Sequence, residues 1–101
     1  MGKAMKQIQK MQADIKKMQA ELEFKRISAT AGGGVVEAIV DGNRFVTGFV
    51  IKPDVVDPED IETLQDLLQA AVNEALRQVD EYVANEMKNI TGGLQLPPGL
   101  I

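Results

Sequence analysis

The sequence predicts an α+β subunit in the order helix, strand, strand, strand, helix, with the strands in one antiparallel sheet. Three observations predict it. Ala4, Ile8, Met11, Ile15, Met18 and Leu22 are spaced 4, 3, 4, 3, 4, as in the apolar seam of a coiled coil. Two runs rich in β-branched residues, Val35–Val40 and Phe45–Ile51, flank Asp41-Gly42-Asn43, a turn sequence that tolerates positive φ. From Ile61 to Ile90 apolar residues recur at helical spacing, with Gly92-Gly93 as a stop signal.

The first helix is expected over residues 1–23. Lys3, Lys6, Lys10 and Lys17 fall within about 60° of one another on its wheel, centred about 130° from the seam. One helix thus offers a seam that asks for a partner helix and a lysine row that faces water or a polyanion.

The sheet is expected over 24–52. Phe24–Ala31 reads weakly as the first strand, because its two faces are not cleanly apolar and polar. Gly32-Gly33-Gly34 leads into a strand rather than a helix, so it reads as a turn and not as a phosphate cradle. If Val40 opposes Phe45, then Val36, Ala38, Val40, Phe45, Thr47, Phe49 and Ile51 share one face. The other face, with Val35, Ile39, Val46 and Val50, is also more than half apolar, which suggests a second cover from another subunit.

The second helix is expected over 58–90, with Asp57 as its N-cap, Pro58 in the first position and Glu59 and Asp60 in the first turn. It would be roughly 50 Å long, against roughly 23 Å for a seven-residue strand. Its first half fits the sheet. Its second half keeps only the stripe Val79, Val83, Met87 and Ile90, which needs another helix. Two overhanging stripes argue for a dimer with Ile8, Met11, Ile15, Met18, Leu22, Val79, Val83 and Met87 in its interface. The tail 91–101, ending Leu94-Gln95-Leu96-Pro97-Pro98-Gly99-Leu100-Ile101, can be neither helix nor central strand.

Composition narrows the function classes. A chain of 101 residues is expected to form one domain, 1–101. It has no cysteine, no histidine and no tryptophan. Thiol chemistry, the usual general base near neutral pH and the commonest metal ligand are therefore missing. No nucleophile–base pair can be assembled, and Asp54, Asp57, Glu59, Asp60 and Glu62 lack calcium-loop spacing. The reading is of a protein that is not an enzyme and has no catalytic residue, metal, cofactor or small-molecule substrate. No apolar run is long enough for a membrane span and no signal peptide is visible, so cytoplasm is the expected location. The net charge of −4 hides a split, with residues 1–30 at +4 and 31–101 at −8. Such asymmetry hints at a polyanion-facing segment.

The segments Gly34-Val35-Val36, Asp41-Gly42 and Ile51-Lys52-Pro53, the run Leu64–Ala75, the tail Gly92–Gly99 and the run Met5–Gln12 resemble the YbaB/EbfC family of bacterial nucleoid-associated proteins. The resemblance covers nearly the whole chain. It departs where Lys52 replaces an acid common in the family, where a Gly- and Phe-rich leader is absent, and over Phe24–Ala31. The resemblance implies two long projecting helices, an intertwined homodimer, DNA binding, a nucleoid location and effects on gene expression. It supplies no diagnostic residue motif. On charge alone the DNA-binding candidates are Lys3, Lys6, Lys10, Lys16 and Lys17, with Lys25, Arg26, Arg77 and Lys88 second. The alternative is a dimeric protein-interaction scaffold that uses the methionine-rich seam and has no direct DNA role.

Overall fold

The structure is a computed structural model and describes residues 2–92. Helix α1 spans Gly2–Glu21 and ends in a 3-10 turn over Leu22–Phe24. Strands β1 (Arg26–Ala31), β2 (Val36–Asp41) and β3 (Val46–Ile51) form one antiparallel sheet in that order. A second 3-10 turn, Pro53–Val55, leads to α2, Ile61–Thr91. The α+β order is the one the sequence predicts, and the tail beyond Gly92 lies outside the described residues.

The core forms where α2 crosses β1 and β2. Ala71 and Ala75 sit one turn apart on α2 and are fully buried. Their small side chains let the helix backbone come close to the sheet. Ala71 packs with Val36 and Ala38, and Ala75 and Val79 pack with Ala29 and Val40. Leu64, Leu67, Leu68 and Val72 close the first cluster, while Ile27, Leu76 and Val83 close the second. Alanines in both layers make tight packing the main stabilising device here, since dispersion falls off steeply with any gap.

Past the sheet, α2 continues as an arm and α1 lies antiparallel on it. Leu22 sits by Val79 and Val83, while Met11 and Asp14 sit by Asn89–Thr91. Ile15 and Met18 are the buried residues of α1. The seam and the overhanging stripe therefore meet within one chain. Ile15, Met18 and Val79 are buried there without a second copy.

Four local expectations are corrected. First, α1 stops at Glu21 and Phe24 is exposed in the 3-10 turn, so β1 starts at Arg26. The cause is a lock between Gly42 N–H and the Leu22 carbonyl, 2.8 Å long, which ends the helix there. Second, Val40 opposes Val46 rather than Phe45, with a register shift beside Ile39. The turn is longer than a two-residue hairpin because Arg44 enters it at φ 71° and the Asp41 carboxylate accepts the N–H groups of Asn43 and Phe45. Phe45 is left 66% exposed. Third, α2 is capped by Asp60, which accepts the Thr63 N–H and hydroxyl. Asp57 instead holds a turn by accepting Glu59 N–H, so Pro58, Glu59 and Asp60 precede the helix. Fourth, β3 is not under α2. Phe49 and Ile51 share the core face with Ala38 and Val36, yet both are exposed at the sheet edge.

Candidate nucleic-acid interface

The basic residues divide by what holds them. On α1, Lys3, Lys6, Lys10, Lys16 and Lys17 are all exposed. Burial of Ile15 and Met18 turns the seam onto α2, which leaves Lys3, Lys6 and Lys17 on the far side of α1, while Lys10 is at the mouth of the cleft between α1 and the end of α2. Every ion pair among the described residues is made by an arginine, so none of these lysines is tied to a carboxylate there.

The second-rank candidates are mostly engaged. Arg77 is gripped on both sides: Nε and Nη2 donate to Glu74 at 3.0 and 2.8 Å, and Nη1 donates to Glu81 at 2.9 Å. Hydrogen bonding to Arg77, helped by Gln78, lowers the Glu74 carboxyl from its usual range to about 2. The same bonds, Glu74 first, raise the Arg77 guanidinium further above its already high value. Lys25 lies over the Tyr82 ring, 4.7 Å from its centroid, in a cation–π contact. Arg26 folds back to donate to the carbonyls of Glu23 and Lys25. Lys88 is exposed in the last turn of α2, where its charge suits the helix dipole.

Arg44 is a cation that its place in the sequence does not single out. Its positive φ puts its side chain across to α2, where Nη1 pairs with Asp80 and fastens the β2–β3 turn to the helix. Only its position one residue past Asp41-Gly42-Asn43 could have signalled this, and that motif names the turn, not its reach.

Among the described residues no three acidic side chains converge as a cation site, and no helix is long and apolar enough to cross a membrane. What the structure offers is an elongated body with a free lysine row along one arm.

Comparison with known proteins decides the family. A family model described as the YbaB/EbfC DNA-binding family matches residues 1–94. The chain belongs to the YbaB/EbfC DNA-binding family. YbaB/EbfC is a DNA-binding family and not an enzyme family. Among its similar relatives is a nucleoid-associated protein of Alkaliphilus metalliredigens, 54% identical over 97 residues, which covers 96% of this chain and 85% of that one. Another, from Thermoanaerobacter pseudethanolicus, is 55% identical over 92 residues, covering 91% and 83%. The crystal structure of an uncharacterized protein from Helicobacter pylori matches with a TM-score of 0.69 at 23% identity, over 81% of this chain and 86% of that one. That likeness concerns the fold.

Proposed function

We propose that the protein is a homodimeric nucleoid-associated protein of the bacterial cytoplasm that grips DNA mainly through backbone phosphates. One observation carries the site: the lysines of α1 are exposed and are free of carboxylate partners among the described residues. Lysine contacts to phosphate are independent of sequence and release counterions, so binding is salt-sensitive. The net charge of −4 per chain opposes DNA at long range, which confines attraction to the arm. A role in nucleoid organisation and gene regulation follows from binding of this kind.

The dimer reading rests on β3. Val46, Phe49, Val50 and Ile51 are exposed and lie on both faces of the edge strand β3, and Phe45 is exposed just before it. A strand apolar on both faces at a sheet edge is an aggregation hazard unless another chain covers it. The seam residues Ile15, Met18 and Val79 are already used inside one chain, so we place the main contact between copies at β3. The protein-scaffold reading keeps only Met5 and the half-buried Met11 of the methionine-rich helix, because Met18 is buried.

The deciding experiment is a mobility-shift titration with specific and random duplexes across a salt series, beside a mass measurement in solution. Salt-independent binding would sink the phosphate reading.

A further inference from the structure

Phe24 is the most exposed large apolar side chain among the described residues, at 75%. It continues a spacing set by lysines. Counting in sevens from Lys3 gives Lys10, Lys17 and then Phe24.

The 3-10 turn over Leu22–Phe24 sets the direction of the ring. At three residues per turn, each residue advances about 120°. Leu22 faces α2, beside Val79 and Val83. Lys25 comes round to that side again and lies over Tyr82 of α2, 4.7 Å from its centroid. Phe24, one step short of Lys25, falls about 120° back from α2, and the lysine row is centred about 130° back from the seam. Lys17 and Phe24 therefore share one strip of the helix, roughly 12 Å apart along the axis. The backbone is held before and after the ring. The Leu22 carbonyl accepts N–H groups from Lys25 at 3.2 Å and Gly42 at 2.8 Å, and Arg26 Nη1 donates to the Glu23 carbonyl at 2.8 Å.

Resting on the phosphate reading of the lysine row, we propose that Phe24 is an apolar wedge that presses between two base pairs of a duplex lying along that row. Glu21 and Glu23 offset Lys25 and Arg26, so the corner carries no net charge of its own. Phosphates are drawn to the lysines, and the ring meets the base stack where that charge stops. Wedges of this kind part a base step and kink the duplex, most readily where the step is already weak. A protein interface of ordinary size, about 800 Å² on each side, centred on the ring would also bury Lys17, Glu21, Glu23 and Arg26, and burying unpaired charge is costly. A parted base step takes only the ring.

The test compares the parent, Phe24→Ala, Phe24→Leu and Lys17→Gln. Each binds one random duplex, and the same duplex with a central T·T mismatch, across a salt series, with the mass in solution read alongside. The parent is expected to favour the mismatched duplex about five-fold, because its step is easier to part. Phe24→Ala loses that preference but keeps the slope of log affinity against log salt, since no phosphate contact is lost. Phe24→Leu retains part of the preference. Lys17→Gln keeps the preference with a shallower slope. Salt-sensitive binding with the same preference in the parent and Phe24→Ala, or with none in the parent, overturns the wedge alone. Parent binding that ignores salt overturns the phosphate reading and the wedge with it. A dimer that Phe24→Ala turns into monomer also overturns the wedge, because a second copy would then be what covers the ring.

Discussion

Gly42 sits against Leu22: its N–H donates to the Leu22 carbonyl at 2.8 Å, and a Cβ on Gly42 would stand 2.7 Å from that oxygen. The hairpin turn and the end of α1 thus touch backbone to backbone. Gly42→Ala must push them apart, at a cost of about 1–3 kcal/mol, as in overpacked cores. Gly33→Ala meets open space and pays only for its positive φ of 71°, about 1–2 kcal/mol. Denaturant melts at one fixed protein concentration check both. Gly42→Ala is also expected to raise amide exchange at the end of α1, and Gly33→Ala is not.

Ala71 faces the sheet and Ala70 faces water. Ala71→Leu forces a larger side chain between α2 and Val36 and Ala38, and should lower stability by about 1–3 kcal/mol. Ala70→Leu should stay within about 0.5 kcal/mol. Thermal melting of the pair checks this, with equal effects counting against the close helix–sheet approach.

The lysine row is tested by charge reversal. Lys6→Glu, Lys10→Glu and Lys17→Glu together should weaken duplex binding at least ten-fold at moderate salt. The slope of log affinity against log salt should become shallower by about 1 for each phosphate that no longer meets a lysine. Far-ultraviolet circular dichroism should be unchanged. Binding that survives all three changes would mark the row as a solvated face.

The β3 edge is tested by placing charge on it. Phe49→Lys with Val50→Lys puts one cation on each face of the strand. The expected outcome is a monomer by sedimentation at concentrations where the parent is a dimer, with helix content retained. A parent that is already monomeric would remove the reading outright.

Arg77→Ala should return the Glu74 carboxyl from about 2 toward the usual range, read by a side-chain NMR titration. Because the folded value is lowered, the stabilising contribution is present above about pH 4.5 and is lost as pH falls toward 2. Both partners are exposed, so the effect on stability should be small. DNA binding should hold in this variant, since Arg77 is already occupied by two carboxylates.

The helices and strands were legible because each writes a period into the chain. The α1 seam, the Asp41-Gly42 turn and the length of α2 against the sheet all survive in the structure. Boundaries were set by contacts that leave no period. Asp60 rather than Asp57 caps α2 because Thr63 answers it with two donors, and both acids precede a plausible first turn. Phe45 looked like core because nothing in Asn43-Arg44 announces a positive φ at Arg44. The seam and the stripe were readable as complementary, but whether they meet within a chain or between chains depends on path, not pattern. The lysine candidates were visible from charge. That arginines alone make the ion pairs among the described residues was not, because Arg77 depends on geometry along α2 and Arg44 on a partner 36 positions away in sequence.

Helix α2 passes from the sheet to the tip without a single glycine or proline between Ile61 and Thr91. Mechanically it is a cantilever. Ala71, Ala75 and Val79 are its built-in end, and the span beyond Val79, about 18 Å long, is braced by α1 lying antiparallel on it. A beam with no hinge does not yield to its load: a duplex pressed on the lysine side meets a fixed spacing and a fixed pitch. Compliance in the complex then belongs to the DNA, so duplexes that bend easily should be favoured by stiffness alone, with no base read.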